Sequence, residues 1–192
     1  MRELPQHDTL APEAFAELVR PLQAPLCGFA RGMVGGTEQA RDVVQDVLVD
    51  AWRTALRGVP PFTGNRDPGE IRRWMFHAVY WRAARLARHD RLLEWEQLES
   101  AEMSALASAR GAAPFEDAVA EAEALRAALT RLSPQDAATI LLNVVYGFTA
   151  AEIAPIVGSS HEATKRRLSR AKERLRVAYF AQNIPAQERA EP

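Results

Sequence analysis

A strongly basic segment near the C-terminus carries the clearest chemical signal in this sequence. From His161 to Arg176 there are seven Lys and Arg residues against two Glu residues, a local charge of +5, in a chain of 192 residues with a formal net charge of −1. A cationic helix in an otherwise neutral protein calls for a polyanionic partner. The chemistry that these residues suit is the binding of phosphates and base edges.

Catalytic and metal-binding patterns do not occur in the sequence. The single cysteine, Cys27, excludes an internal disulfide and a cysteine-based zinc site. No phosphate-binding glycine loop or nucleophile motif appears, and the histidines do not cluster with acids at ligand spacing. We therefore predict no enzymatic activity, no cofactor and no metal site.

A helix-turn-helix pattern surrounds the basic segment. Thr149 and Glu152 form a capping box at the start of one helix, Gly158 lies in a short turn, and Ser159 or Ser160 caps the next helix. A helix, a glycine-containing turn and a second helix are typical of DNA-binding modules. We expect Pro155 to kink the first helix or to end it early in a 3₁₀ turn.

The second helix of this pair has one apolar face and one polar face. Leu168, Ala171 and Leu175 are spaced to face the core. Because a recognition helix reads bases from its N-terminal outward residues, we predict base contacts from one group and phosphate contacts from another. The first group is His161, Glu162, Lys165 and Arg166, and the second is Arg167, Arg170 and Arg174.

A second basic segment, Glu70–Leu93, mixes arginines with aromatic rings. It has six Arg residues against one Glu and one Asp, a local charge of +4, and includes Trp74, Phe76, Tyr80 and Trp81. Cations that follow a backbone and rings on which unstacked bases can lie are what single-stranded nucleic acid requires. Core packing is the alternative for each ring, since Trp74, Met75 and Ala78 also form an ordinary buried face.

The helix predicted for Thr37–Leu56, with Thr37 as its N-cap, has the opposite charge. One face is a continuous apolar stripe, and the other is a mostly acidic ridge formed by Asp42, Asp46, Val49, Asp50 and Arg53. A surface that binds DNA would not be acidic. We therefore assign the ridge to a protein partner with basic residues.

Helical periodicity throughout predicts an all-α fold of two small helical domains joined by a flexible linker. We expect a first helix over Pro12–Met33, broken or kinked by Pro21 and Pro25, and a loop over Gly58–Gly69. In the C-terminal half, Phe115–Leu132 is predicted to be helical, and Ser133-Pro134 to start a helix that ends at Gly147. The predicted domains are residues 10–95 and 115–180, with the linker at 96–114. The sequence has no apolar run of membrane-spanning length, so we expect a cytoplasmic protein without membrane insertion.

These segments together resemble the extracytoplasmic-function group of bacterial sigma factors. Ala40–Arg53 is similar to the polymerase-binding helix of that family, and Ile71–Arg82 to its −10-element segment. The stretches Leu132–Asp136, Gly147–Ala154 and Lys165–Arg176 resemble its −35-binding domain. The sequence departs from the family at Trp81, where an Asn is usual, and at Pro155.

The resemblance implies partners and sites for each segment. It implies binding of Asp42, Gln45, Asp46 and Val49 to the β′ clamp helices of core RNA polymerase, with the β flap as a further contact. It implies that promoter DNA is read in the −10 element by Arg73, Trp74, His77, Tyr80, Trp81 and Arg85. In the −35 element the implied residues are His161, Glu162, Lys165, Arg166, Arg167 and Arg170. An anti-sigma factor is implied by resemblance alone.

Two other functions remain open from the residues themselves. A stand-alone helix-turn-helix regulator would need only the C-terminal domain, but it leaves the acidic ridge and the aromatic-basic helix unexplained. A helical interaction protein without a DNA role would treat both basic helices as solvated faces. Salt-sensitive DNA binding distinguishes the helical interaction protein, which would lack it, from the sigma factor and the stand-alone regulator, which would both show it.

Overall fold

The computed structural model describes residues 10–64, 66–98, 124–125, 127–129 and 131–183. Within these ranges the chain forms six α-helices with defined bounds, a further helical stretch that includes residues 124–125 and 127–129, and one π-helical turn. The all-α prediction is confirmed. Most of the predicted linker lies outside the described residues, so the predicted domain bounds remain a prediction.

The first helix, α1, spans Pro12–Val34 and ends at Gly35, whose φ of 81° suits glycine. It continues through Pro21 and Pro25, so the predicted break is wrong, whereas the alternative of a kink stays a prediction. One face of the helix buries Phe15, Leu26 and further apolar residues in the core, and this burial holds the helix together where two backbone donors are missing.

The second helix, α2, spans Thr37–Leu56, which confirms its predicted end but begins it one residue before the predicted first turn. Its N-cap residue is Gly36 rather than Thr37, and no side chain caps it. The apolar stripe is buried, with Val43, Val47 and Ala51 at 4% exposure or less. The opposite face, which carries the acidic ridge, remains at the surface.

The third helix, α3, spans Pro68–Leu98 and is longer at both ends than predicted. Asp67 starts it, because its carboxylate accepts hydrogen bonds from the backbone N–H groups of Gly69 and Glu70 at 3.1 and 3.2 Å. The helices α1, α2 and α3 contact one another pairwise and enclose Phe62, Met75 and Val79.

The C-terminal helices are α4 (Pro134–Ile140), α5 (Ala150–Ile156) and α6 (His161–Asn183). Residues 124–125 and 127–129 are also helical, which agrees with part of the helix predicted before Leu132. The predicted start of α4 is confirmed, because the Ser133 hydroxyl accepts a hydrogen bond from the Asp136 backbone at 3.1 Å. After α4 the helix continues as a π-helical turn, Leu141–Val145, which the sequence did not predict.

The N-terminal and C-terminal helices share one continuous buried core. Phe76 of α3 packs against Phe29 of α1 at a ring-centroid distance of 5.3 Å, against Tyr146 at 4.9 Å and against Phe148 at 5.2 Å. Contacts also join α1 to α4 and α3 to α5. Burial and the nearby Cys27 raise the pKa of Tyr146 to about 12, so its hydroxyl stays protonated in this core.

Candidate nucleic-acid interface

The helix-turn-helix pattern is formed by α5, the turn at Gly158 and α6. The backbone N–H of Thr149 donates to Glu152 Oε2 at 2.9 Å, and the backbone N–H of Glu152 donates to Thr149 Oγ1 at 3.3 Å. Both bonds of the predicted capping box are therefore present. Hydrogen bonds from the Thr149 backbone and hydroxyl, with smaller effects of Arg73 and Arg72, hold the pKa of Glu152 below its usual value.

The turn between α5 and α6 follows local residue chemistry. The helix α5 ends at Ile156, one residue after the exposed Pro155, and remains α-helical up to that point. The Ser160 hydroxyl accepts a hydrogen bond from the Ala163 backbone at 3.2 Å, so Ser160 rather than Ser159 caps α6. Gly158 has a φ of 64°, which is a glycine conformation.

The outward face of α6 presents most of the residues predicted to contact the −35 element. His161, Glu162, Lys165, Arg166 and Arg170 are all exposed. Lys165 Nζ lies 3.6 Å from Glu162 Oε1, an exposed pair that can exchange for contacts with a partner. The inward face buries Ala171 and half-buries Leu168 and Leu175, as the periodicity predicted.

Arg167 is placed differently from its neighbours, because a buried carboxylate holds it. Arg167 Nη1 donates to Asp136 Oδ1 at 3.1 Å, and Arg174 Nη1 donates to Asp136 Oδ2 at 2.6 Å. Asp136 itself is 2% exposed. The sequence alone does not predict this role of the carboxylate, because Asp136 lies in the first turn of α4, where an acidic residue is explained by the helix terminus itself. The DNA role predicted for Arg167 remains a prediction.

Side chains of α3 that were predicted to bind the −10 element divide between surface and core. His77, Trp81 and Arg85 are exposed, and Arg73 and Trp74 are half-buried. Tyr80 is only 5% exposed, so its ring belongs to the core in this arrangement. The exposed members, with Trp74 and Asp50, line a groove between α2 and α3. This groove combines cations with aromatic surface, the pair of features that unstacked bases require.

Helix α3 also contacts the helix-turn-helix element directly. Arg72 Nη2 donates to the Tyr146 carbonyl oxygen, and the Arg72 guanidinium lies 4.0 Å from the centroid of the Phe148 ring. Arg73 Nη1 lies 3.8 Å from Glu152 Oε1. A Cβ added at Gly158 would lie 3.1 Å from the Trp81 ring. Arg73 and Trp81, which were predicted to bind the −10 element, therefore lie against the first helix and the turn of the helix-turn-helix element in this arrangement.

The acidic ridge of α2 lies at the surface, as predicted. Asp42, Gln45, Asp46 and Val49 are exposed, and Val49 is the apolar member of the group. Arg82 of α3 is a cation beside this ridge that the sequence did not predict there. Arg82 Nε lies 3.1 Å from Asp46 Oδ2, and Arg82 Nη1 lies 2.8 Å from Asp50 Oδ2.

An apolar groove runs between α4, the π-helical turn and α6. It has a volume of about 440 Å³ and includes the exposed side chains of Leu125, Val144, Val145 and Phe180. Exposed apolar surface of this kind is typical of sites where a protein, a membrane or a ligand binds. The sequence did not predict a site at these residues; the one signal for it is the apolar pair Val144 and Val145 shortly before Gly147, where the helix was predicted to end.

Two tests for other kinds of site give negative results within the described ranges. There, no group of three or more His, Cys, Asp and Glu side chains could hold a metal ion. In the same part of the chain, the helices are too short or too polar to cross a bilayer.

Comparison with known proteins identifies the C-terminal part of this structure. Residues 122–175 match the family model for sigma-70, region 4. This segment is similar to sigma-70 region 4, and it is called the region 4 domain below. The region 4 domain contains Asp136, the capping box, the turn at Gly158 and most of α6.

Over most of its length the chain is similar in fold to a solved sigma factor. The sigma factor RpoE of Bartonella quintana, solved in complex with the anti-sigma factor NepR, is 22% identical to this chain. The match covers 86% of this chain and 96% of RpoE, with a TM-score of 0.61. No curated protein matches the chain. The region 4 domain and the shared fold support the resemblance to extracytoplasmic-function sigma factors that the sequence analysis described.

Proposed function

We propose that this chain is a sigma factor that binds core RNA polymerase and directs promoter recognition and opening. The observation that carries the proposal is the presence of a region 4 helix-turn-helix domain in one fold with an acidic ridge on α2 and a basic, aromatic groove beside α3. A stand-alone regulator accounts for the first feature alone.

The −35 element is the proposed ligand of α6. Arg166 and Arg170 are exposed on its outward face, where arginine can donate two hydrogen bonds to guanine or bind phosphate. Glu162 and His161 lie at its N-terminal end, the part of a recognition helix that reaches base edges. Arg167 and Arg174 share the carboxylate of Asp136, and we assign them to orienting α6 as well as to phosphate contacts.

The −10 element is the proposed ligand of the groove beside α3 and of the preceding loop, residues 59–68. Trp81 is 44% exposed and offers a ring face for an unpaired base. Arg85 and Arg73 supply positive charge along the same helix. Because Trp81 and Arg73 contact the region 4 domain, we propose that α3 and that domain separate when promoter DNA binds.

Core RNA polymerase is the proposed partner of two surfaces. The acidic ridge with Asp42, Gln45, Asp46 and Val49 suits a basic helical surface such as the β′ clamp helices. The apolar groove lined by Val144, Val145 and Phe180 suits an apolar segment, for which we propose the β flap. A stand-alone DNA-binding regulator would not require either surface.

An anti-sigma factor is the further partner that we propose. The support is that RpoE, which shares this fold, was solved with the anti-sigma factor NepR. We propose that the chain acts in the bacterial cytoplasm. It includes no catalytic step by this chain, since polymerase itself would form the phosphodiester bonds.

A binding experiment with matched charge reversals tests the polymerase assignment. Asp46→Arg should weaken binding to purified core polymerase by at least about tenfold, because it turns an attractive contact with a basic surface into a repulsive one. Glu17→Arg makes the same charge change at an exposed position of α1 and should leave binding within about twofold. Equal affinities for the two variants would contradict the assignment of the ridge.

A further inference from the structure

One arginine lies between the two surfaces that the proposed function uses. Arg82 extends from α3 to α2, where its Nε and Nη1 atoms reach Asp46 at 3.1 Å and Asp50 at 2.8 Å. The two aspartates are one helical turn apart, so a single guanidinium spans both carboxylates. Asp46 belongs to the proposed polymerase surface.

Two grooves meet at this side chain. The first is lined by Gln39, Asp42 and Asp46 on the polymerase side. The second is lined by Trp74, His77 and Trp81 on the −10 side. Arg82 and Arg85 line both grooves. A movement of Arg82 would therefore change the charge of both surfaces at once.

The ion pairs at Arg82 are open to competition from a partner. The side chains of Asp46 and Asp50 are 60% and 47% exposed, and that of Arg82 is 33% exposed. Ion pairs with this much contact with water are weak, so a basic partner can take over the carboxylates at little cost. The guanidinium that is released lies at the wall of the −10 groove, where a phosphate can bind it.

We propose that Arg82 couples polymerase binding to promoter binding by exchanging partners. In the free chain Arg82 neutralises Asp46 and Asp50, and in the polymerase complex the carboxylates bind the basic partner while Arg82 binds a phosphate of the −10 DNA. Arg82 is thus a competitor of the basic partner at the first surface and a phosphate contact at the second. This inference rests on the proposed function, because it takes the α2 ridge as the polymerase surface.

The coupling predicts effects of opposite sign for one substitution. Arg82→Gln removes the competing cation, so the Kd for core polymerase should fall by about two- to fivefold. The same variant, assembled with saturating core polymerase, should bind promoter DNA more weakly. Its slope of log affinity against log salt should become shallower by about 1, the loss of one phosphate contact. A purely structural role would not produce tighter core binding together with a changed salt slope.

Two further variants serve as controls for Arg82→Gln. Arg85→Gln is the matched control, because Arg85 lines the same grooves while Arg82 makes the pairs with Asp46 and Asp50; it should weaken promoter binding without tightening core binding. Arg82→Lys retains the charge but cannot span both carboxylates in the same way. It should tighten core binding less than Arg82→Gln and leave the salt slope unchanged, and it also serves if the Gln variant does not fold.

The outcomes separate the coupling from the proposed function. If the wild-type chain does not bind core polymerase, the proposed function fails. If the wild-type chain binds and Arg82→Gln binds core equally or more weakly, or its salt slope is unaltered, the coupling alone is overturned. Tighter core binding with a shallower salt slope supports the exchange of partners.

Discussion

The carboxylate of Asp136 gives the most direct test of how the recognition helix is held. We consider Asp136→Asn, which keeps the size of the side chain but replaces one charged oxygen by an amide group. Asp136 is 2% exposed and binds Arg167 and Arg174 at 3.1 and 2.6 Å. The variant leaves both arginines without their anion and turns N–H donors toward at least one of them.

The expected loss of stability follows from the burial of each partner. Removing one member of a fully buried ion pair costs about 3–5 kcal/mol. The side chains of Arg167 and Arg174 are 32% and 57% exposed, so both can recover part of their hydration. We therefore expect Asp136→Asn to lower the free energy of unfolding by about 2–3 kcal/mol, with Arg167 as the more strongly coupled partner.

Urea denaturation of the full chain, combined with double-mutant cycles, measures these quantities. Arg174→Gln alone should change the free energy of unfolding by about 1 kcal/mol or less, because its side chain is more than half exposed. The coupling energy of Asp136 with Arg167 should exceed that with Arg174. A loss below about 0.5 kcal/mol in Asp136→Asn, or stronger coupling to Arg174, would refute the reasoning.

Three further predictions concern α5, its turn and α6. Gly158→Ala should lower the free energy of unfolding by about 1 kcal/mol, because φ at this position is 64° and the new Cβ would lie 3.1 Å from the Trp81 ring. Urea denaturation measures this difference, and an unchanged free energy of unfolding would contradict the geometry. The pKa of Glu152 is lower in the folded protein than in the unfolded chain. The stability that the Glu152 carboxylate contributes is therefore fully present above the unfolded-state pKa and is lost as the pH falls through the folded-state pKa. Glu152→Gln should therefore lose stability at pH 7 but approach the wild type in acid, and a difference that is independent of pH would count against the capping carboxylate. Arg166→Ala should weaken or relax −35 recognition by about 1–3 kcal/mol in a promoter-variant binding assay, and an unchanged preference would exclude base reading by Arg166.

Helix ends and the helix-turn-helix pattern could be predicted because their chemistry is local. The capping box of Thr149 and Glu152 and the cap at Ser133 depend on residues three positions apart, and the structure has both. The apolar stripe of α2 follows in the same way from helical periodicity. Local signals were less reliable where tertiary burial outweighed them, as in α1, which remains helical through Pro21 and Pro25.

The parts of the site that the sequence did not predict depend on contacts between distant residues. Arg82 pairs with Asp46 and Asp50, and Asp136 pairs with Arg167, across separations of about thirty residues. Periodicity along one helix contains no information about which charge of another helix lies opposite. The packing of Phe76 against Tyr146 and Phe148 likewise joins halves that the sequence analysis treated as separate domains.

Transcription in vitro with purified core polymerase tests the central claim most directly. The reaction compares core polymerase alone, core with this protein, and core with the Asp46→Arg variant on a promoter library that reports start sites. The account predicts new start sites that share −35 and −10 elements, that require the protein, and that are lost with Asp46→Arg. DNA binding by the protein without any polymerase-dependent start site would contradict it and would favour a stand-alone helix-turn-helix regulator.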